Sequence, residues 1–454
     1  MNETKVRKIT AIFVRLAGPQ GRKNRFKPIN VILNGLKEAR ATGKKTQTSI
    51  DSRDMAKISA KSTAMPASAI RKLVPFADAA KAEGVKVYHL NVGAPDIKSP
   101  DCALDAVKTN TLDHVSYSNS AGLIELRKGL VEKYYKKIGI DIEVPELIVT
   151  VAGSEGVNLA LQICCDEGDE VLVIEPFYTN YNTFAFMNGI TLRAIPTDIR
   201  EGFAIPPVSE FEKYITPKTK AILISNPGNP TGTLYPKDTV LALGEIAKKH
   251  DLFLISDEVY REYCFTEEPH FSAMNIPGLE QNVILIDSVS KRYNLCGVRV
   301  GCIISHNKDV MAAAMKYAQA RLCPPIYGQI ASIGALDTPQ EYFDAVKEEY
   351  RRRRDYTVEA LNKMEGVFSP NPMGAFYTVV EIPVDDAESF AKWMLTEFRI
   401  NGETTMVTPA ASFYKTPGVG KNHIRVAYVL EVPELKKALH ILEEGLKAYP
   451  GRTI

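Results

Sequence analysis

Four short segments of this 454-residue chain combine residues that can bind an anion with residues that can transfer protons or act as a nucleophile. Each segment follows a run of apolar residues, and together they are 151–156, 225–232, 255–260 and 288–292. Ligands of open parallel sheets bind outside the carboxyl ends of the strands. These four segments are therefore where we expect a site to lie.

The first segment is a candidate anion site. Gly153, Ser154 and Glu155 open a predicted helix, and the free N–H groups and dipole of a helix start favour an anion. A tight turn between a strand and a helix uses the same residue types without any ligand. The segment therefore does not establish a site by itself.

The fourth segment contains a candidate nucleophile, Lys291, at the end of an apolar run. Partial burial there lowers the pKa of an amine and makes the amine reactive. Ser288 and the nearby Arg299 are candidate phosphate ligands. A lone lysine of this kind is usually a surface residue, but the three other polar segments favour the functional interpretation.

The second and third segments supply an amide and an acid. Asn229 lies between prolines and glycines in 226–232, and these residues hold the turn rigidly. Asp257 and Tyr260 follow the apolar run 252–255 and, three positions apart, can face one ligand. The alternative is that Asp257 caps a helix.

The elements that must position these residues alternate between strands and helices. Apolar runs predict strands at 147–151, 170–174, 221–225, 253–256, 283–287 and 298–305, with helical patterns such as 237–250 between most of them. This rhythm is typical of an α/β fold with a mostly parallel sheet covered on both faces. A long charged helix over 340–364 leads to an α+β region, which ends in a helix over 433–447.

Taken together, the four segments resemble the motifs of class I/II aminotransferases of the fold-type-I pyridoxal-phosphate-dependent superfamily, and the likeness is to the aspartate-aminotransferase type. It runs from about Ile70 to Tyr449. The resemblance implies a large domain with a seven-stranded, mostly parallel sheet between helices, and a smaller α+β domain formed by the N-terminal segment and the C-terminal part. The expected divisions are a basic, disordered extension (1–54), an N-terminal arm and small-domain segment (55–110), a large cofactor-binding domain (111–338) and a C-terminal small domain (339–454).

The resemblance also implies how the cofactor, pyridoxal 5'-phosphate (PLP), is bound. Lys291 is expected to hold it covalently, and Asp257 is expected to keep its pyridine nitrogen protonated. Tyr260 and Asn229 are expected to hydrogen-bond the ring hydroxyl, and Tyr178 to stack on the ring. The residues expected at the phosphate are Gly153, Ser154, Glu155, Ser288, Arg299 and, from the partner subunit of a homodimer with shared active sites, Tyr117.

For the substrate, the resemblance implies that Arg425 grips the α-carboxylate and that Gly93 lets the substrate approach, with Asn229 also in contact. A planar guanidinium suits a carboxylate because it can donate two parallel hydrogen bonds. The catalytic residues are then Lys291, Asp257 and Tyr260, and no metal is expected. Arg321 lies where some relatives bind a second carboxylate, although a surface arginine explains it equally well.

The implied activity is transfer of an amino group from an L-amino acid, with aspartate favoured, to a 2-oxo acid, with 2-oxoglutarate favoured, by a ping-pong mechanism. Three alternatives stay open. One is an alanine- or aromatic-specific aminotransferase, one is a PLP-dependent lyase, and one is a regulator that senses ligand with such a domain. The third needs a DNA-binding module, for which residues 1–54 are short and poorly patterned.

Composition and charge add limits. With 45% hydrophobic and 24% charged residues, the chain has the composition of a globular protein, and no apolar run is long enough to span a membrane. Residues 1–54 carry +9 against +2 for the whole chain, which leaves −7 on the rest. We expect a solvated tail rather than a transit peptide or nucleic-acid arm. Seven cysteines without a Cys-x-x-Cys pair indicate reduced thiols and a cytoplasmic protein. The net charge of +2 and the lack of a membrane-spanning run favour a protein without nucleic-acid or membrane partners.

Overall fold

The computed structural model describes residues 56–68 and 70–454, so the predicted extension over 1–54 lies outside the described residues. Residues Met65–Ile454 form one compact unit. The described residues before it, 56–64, belong to a separate unit and contain helix α1 (Ala60–Ala64). The domain boundaries at 110 and 338 stay predictions.

The described residues form twelve strands that make up three sheets. In chain order they are β1 (Lys86–His89), β2 (Leu147–Thr150), β3 (Glu170–Glu175), β4 (Thr191–Pro196), β5 (Thr219–Ser225), β6 (Phe253–Asp257), β7 (Val283–Ser288), β8 (Gly301–Ile304), β9 (Tyr377–Glu381), β10 (Glu403–Met406), β11 (Thr408–Pro409) and β12 (His423–Ala427).

The largest sheet has seven strands in the order β2-β8-β7-β6-β5-β3-β4. All neighbouring pairs from β7 to β4 are parallel, and β8 runs antiparallel to both β2 and β7. The predicted mostly parallel sheet is therefore confirmed, and six of its strands lie where apolar runs predicted them. The edge strand β4 was missed because Thr191 and Arg193 interrupt its apolar residues.

The helices of the compact unit lie between and around the strands. They are α2 (Val74–Ala82), α3 (Asp101–Lys108), α4 (Ile124–Gly129), α5 (Ala152–Cys164), α6 (Asn180–Asn188), α7 (Val208–Glu212), α8 (Lys237–Lys249), α9 (Val289–Arg292), α10 (Lys308–Arg321), α11 (Ile326–Ala335), α12 (Gln340–Asn362), α13 (Ala387–Thr396) and α14 (Val432–Ala448). The long charged helix and the C-terminal helix are confirmed as α12 and α14. One face of α14 is apolar and buried, with Leu435, Leu439 and Leu442 in the core.

Two smaller sheets are formed by strands from the N-terminal and C-terminal parts of the compact unit. Strands β9, β12 and β11 form an antiparallel sheet, and β1 pairs in parallel with β10. One hydrophobic core contains Leu73 and Val87 from the N-terminal side together with Leu435 and Leu446 from the last helix. This confirms an α+β region built from both an N-terminal segment and the C-terminal part.

None of the helices formed by residues 56–68 and 70–454 is both long enough and apolar enough to cross a membrane.

The start of α5 packs directly on the first residue of β8. A Cβ atom added to Gly301 would lie 2.6 Å from the carbonyl carbon of Ala152 and 2.7 Å from the backbone nitrogen of Gly153. Both contacts are with backbone, which cannot rotate away as a side chain can. The absence of a side chain at Gly301 therefore sets how closely the predicted phosphate-binding turn approaches the sheet.

We expect Gly301→Ala to lower the free energy of unfolding by about 1–3 kcal/mol, the usual cost of forcing an extra carbon into a packed site. Gly297→Ala is the matched control, because a Cβ there meets nothing within 4 Å. Urea unfolding of the two variants beside the wild type measures the difference. Equal stability of the two variants would show that α5 and β8 can separate freely.

Candidate active site

The carboxyl ends of β5, β6 and β7 bring three predicted site residues to one edge of the sheet. Asn229 follows β5, Asp257 ends β6, and Lys291 lies in α9 directly after β7. Ser288 ends β7 and caps α9, because its hydroxyl accepts a hydrogen bond from Ser290 N at 3.1 Å. This short capped turn fixes the direction in which the Lys291 side chain leaves the sheet.

The amine of Lys291 lies beside Gly93, the residue expected to let the substrate approach. Its Nζ donates to the Gly93 carbonyl at 2.6 Å and lies 3.5 Å from Cys296 Sγ. The ring centroids of Phe376 and Tyr260 are 5.4 Å and 6.0 Å away. The amine is thus half-buried among aromatic rings, with one strong hydrogen-bond acceptor.

Asp257 is buried and has no cationic partner among its hydrogen bonds in the described chain. Its Oδ2 accepts from the Tyr181 hydroxyl at 2.8 Å, and its Oδ1 accepts from Val259 N at 3.4 Å. Burial raises the pKa of Asp257 to about 6, although these two hydrogen bonds oppose the rise. A carboxylate in this setting favours a cation beside it, such as a protonated pyridine nitrogen.

The predicted anion cradle is formed by the start of α5 and by Ser288. A Cβ on Gly153 would lie 4.0 Å from the Cβ of Ser288, so the two segments face each other closely. Ser154 lies in the first turn of α5, where backbone N–H groups have no partner within the helix. Arg299 is exposed, and its positive φ of 56° is unusual for a residue with a side chain.

Glu155 and Arg321 support the start of α5. The Glu155 carboxylate accepts a hydrogen bond from Val151 N and forms an ion pair with Arg321 Nη1 at 3.4 Å. Arg321 Nη2 also donates to the Ser120 carbonyl at 2.8 Å. In this arrangement the guanidinium proposed as a second carboxylate ligand is already engaged by groups of its own chain.

Arg425 is the most deeply buried cation of the site, with 1% of its surface exposed. Its Nη1 donates to Asn229 Oδ1 at 3.1 Å and its Nη2 to the Asn91 carbonyl at 2.5 Å. The Tyr377 and Phe413 rings lie 4.6 Å and 5.2 Å from its guanidinium carbon. Its Nε is buried without a partner in the described chain, so the guanidinium keeps unused N–H donors for an anionic ligand.

Two tyrosines that the sequence did not single out complete the site. Tyr377 on β9 lies 3.0 Å from Tyr260, hydroxyl to hydroxyl, and a Cβ on Gly93 would lie 1.6 Å from the Tyr377 oxygen. Tyr181 on α6 donates to Asp257. The only sequence feature that could have indicated Tyr181 is its position three residues after Tyr178. Nothing in the segment around Tyr377 indicates that it belongs to the site.

The remaining predicted residues divide between the site and the surface. The Tyr178 ring packs edge-on against Tyr181 with centroids 5.5 Å apart, and burial raises the pKa of Tyr178 to about 12. Tyr117 is 78% exposed in a single chain. The expected role of Tyr117 at the phosphate of the partner subunit stays a prediction.

Comparison with known proteins identifies the family. Residues 85–442 match the family model of aminotransferase class I and II. The chain belongs to this family, whose members are PLP-dependent transferases, and it is an aminotransferase. The resemblance inferred from the four polar segments is confirmed.

Individual relatives carry different substrate names. The aspartate/prephenate aminotransferase of Thermus thermophilus is 30% identical over 362 residues, 79% of this chain and 90% of the relative. A structure of aspartate aminotransferase from the same organism with maleate has a TM-score of 0.78 at 30% identity, covering 86% of this chain and all of that one. Alanine aminotransferase of Pyrococcus furiosus gives a TM-score of 0.77 at 31% identity and the same coverage.

We expect Asp257→Asn to stabilise the cofactor-free protein at alkaline pH. The pKa of Asp257 rises from 3.8 to about 6 on folding, so the ionised carboxylate costs stability that grows from pH 4 to 6 and then stays constant. A shift of this size corresponds to about 3 kcal/mol. The advantage of the variant should therefore shrink as the pH falls toward 4.

Urea unfolding at pH 8, 6 and 4.5 measures this pH dependence, with Asp113→Asn as an exposed control. A constant difference between Asp257→Asn and the wild type at all three pH values would contradict a buried, charged Asp257.

Proposed function

We propose that this aminotransferase uses PLP to transfer the amino group of an L-amino acid to a 2-oxo acid in a ping-pong reaction, with aspartate and 2-oxoglutarate as the favoured pair. One observation carries the proposal. The Lys291 amine and the Arg425 guanidinium hydrogen-bond to carbonyls only two residues apart, those of Gly93 and Asn91. A base and a carboxylate-binding cation therefore flank one short segment, as the α-carbon and α-carboxylate of an amino acid require.

The residues fit the cofactor. The buried Asp257 without a cation suits a pyridinium nitrogen, and the close approach of Gly153 to Ser288 suits a phosphate. Tyr178 is available to stack on the ring, while Asn229 and Tyr260 are available to bond its hydroxyl. When bound, PLP supplies an electron-withdrawing ring that makes the substrate α-proton acidic.

The protein groups then divide the work of proton transfer and orientation. Arg425 binds the α-carboxylate, and the Tyr377 and Phe413 rings keep water from its guanidinium. Lys291 Nζ takes the proton from the substrate Cα and returns it later in the half-reaction. Asp257, when ionised, would stabilise a protonated ring nitrogen of the bound cofactor.

Three kinds of amino acid remain to be distinguished as the donor of the amino group. Relatives are named for aspartate, for alanine and, in Thermococcus litoralis, for aromatic amino acids. In a single chain the Arg321 guanidinium already contacts Glu155 and the Ser120 carbonyl, so the preference for a dicarboxylate is supported here by the relatives' names and not by this residue. A lyase reaction on the same cofactor is not favoured, because Arg425 and Asn229 suit transamination.

We expect the purified protein, supplied with PLP, to convert the cofactor from its pyridoxal to its pyridoxamine absorbance when mixed with the correct amino acid. A panel of aspartate, glutamate, alanine, phenylalanine and tyrosine identifies the donor. Lys291→Ala is expected to show no conversion while keeping its fold by circular dichroism. Turnover by this variant, or borohydride labelling of another lysine in the wild type, would contradict the role of Lys291.

We also propose that the protein is a cytoplasmic homodimer with shared active sites. The seven cysteines are all free, which supports a reducing compartment. Three large apolar or aromatic side chains, Leu112, Val115 and Tyr117, are exposed close together in the sequence. Such a segment supports an interface with a second copy of the chain.

We expect a mixture of Lys291→Ala and Tyr117→Ala chains to regain activity. Each mixed dimer contains one site with both defects and one site with neither, if Tyr117 serves the partner's site. Activity is measured after subunit exchange is verified with two different tags. No recovery despite exchange would indicate self-contained subunits.

A further inference from the structure

Glu175 is a buried carboxylate at the end of β3 whose side chain binds a loop far along the chain. Its Oε2 accepts hydrogen bonds from Lys415 N at 2.7 Å and Thr416 N at 3.1 Å, and its Oε1 accepts from the Thr416 hydroxyl. Only 1% of Glu175 is exposed. A buried carboxylate is costly unless hydrogen bonds satisfy it, and these three donors do so.

The loop over 411–420 has an exposed outer part and a buried inner part. Residues 415–419 are exposed, and Gly418 and Gly420 have positive φ values of 82° and 72°. The inner residues Phe413 and Tyr414 are buried, Phe413 beside the Arg425 guanidinium and Tyr414 beside His423. Glu175 is therefore the buried anchor of an otherwise exposed turn.

Both inner residues support the strand that carries Arg425. The Phe413 ring lies 5.2 Å from the Arg425 guanidinium carbon, and the Tyr414 hydroxyl lies 2.9 Å from His423 Nδ1 on the same strand, β12. A second link runs parallel to the Glu175 contact, because Phe177 N donates to the Phe413 carbonyl at 3.0 Å.

The carboxyl end of β3, where Glu175 lies, also leads to the cofactor side of the site. Tyr178 follows Glu175 by three residues, and Tyr181 in the next helix donates to Asp257. Glu175 thus lies at the junction between the residues proposed for the cofactor ring and the residues that surround Arg425.

We infer that Glu175 is a positioning residue, which holds the 411–420 loop so that Phe413 fixes the Arg425 guanidinium for the α-carboxylate of the substrate. This inference rests on the proposed role of Arg425. Loss of the carboxylate removes three hydrogen bonds to the loop and leaves it held on this side by the bond from Phe177 N to the Phe413 carbonyl. Phe413 is then less firmly placed, and the aromatic wall on one side of the Arg425 guanidinium is loosened. Binding of the amino acid weakens, whereas cofactor binding and reaction of the cofactor with a simple amine are unchanged.

The test compares two amines with the PLP-loaded, full-length protein. One is the best donor of the panel, and the other is the same molecule without its α-carboxylate, which is β-alanine in the case of aspartate. Half-saturation by each amine is read from the cofactor absorbance. Glu175→Ala is expected to raise the half-saturating concentration of the donor at least tenfold and that of the carboxylate-free amine less than twofold.

Three further variants define the mechanism. Glu175→Gln keeps an oxygen for the two N–H groups and an amide for the Thr416 hydroxyl, so it should restore donor binding to within about threefold, since one acceptor is retained. Thr416→Val removes only the hydroxyl and should give an intermediate loss. Exposed Glu201→Ala is the matched control without effect. Glu175→Ala should add nothing to Arg425→Ala, because both act through one guanidinium.

The outcomes separate the inference from the proposed function. If Arg425→Ala leaves the preference for the α-carboxylate intact, the proposed function is wrong. If Arg425→Ala abolishes the preference but Glu175→Ala leaves it unchanged, or if Glu175→Ala weakens binding of both amines equally, the inference is overturned. Should Glu175→Ala fail to fold, Thr416→Val decides, and wild-type donor binding by that variant overturns the inference.

Discussion

Burial of the Arg425 guanidinium is the constraint on which the arrangement of the site depends. A buried cation is tolerated only where hydrogen bonds and polarisable surroundings replace water. Arg425 obtains them from four separate parts of the chain, namely Asn91 after β1, Asn229 after β5, Tyr377 on β9 and Phe413 in the 411–420 loop. These parts must be in place together before the charge can be buried, which couples the small sheets to the edge of the large one.

The large sheet and the residues at its carboxyl edge could be predicted because the signal is local. Continuous apolar runs mark buried parallel strands, and the polar residue after each run, such as Asp257 or Lys291, must then lie at the common edge. Strand β4 was missed because an edge strand has one neighbour and tolerates polar residues. Tyr377 and Tyr181 were missed because their contacts depend on packing between distant segments, which leaves no pattern in either segment alone.

Two buried carboxylates near the site differ in how their charge is compensated. For Asp287, burial favours a raised pKa, but Arg292, Arg261 and the Tyr135 hydroxyl overcome it and leave the pKa lowered. For Asp257 burial dominates, and the pKa is raised to about 6. The first carboxylate is neutralised by its own chain and serves the fold. The second is left without a cation, and this costs stability that a positively charged ligand can return.

The pairing of β1 with β10 has a consequence for the order in which the protein assembles during synthesis. Tyr88 on β1 and Glu403 on β10 form a hydrogen bond although they lie 315 positions apart in the sequence. At about 5–20 residues per second, a ribosome needs roughly 15–60 s to cover that distance. All seven strands of the large sheet emerge in this interval, whereas β1 waits with its backbone groups unpaired. The cofactor half of the site can therefore form before the substrate half exists, and a nascent chain interrupted before β10 retains an open strand edge.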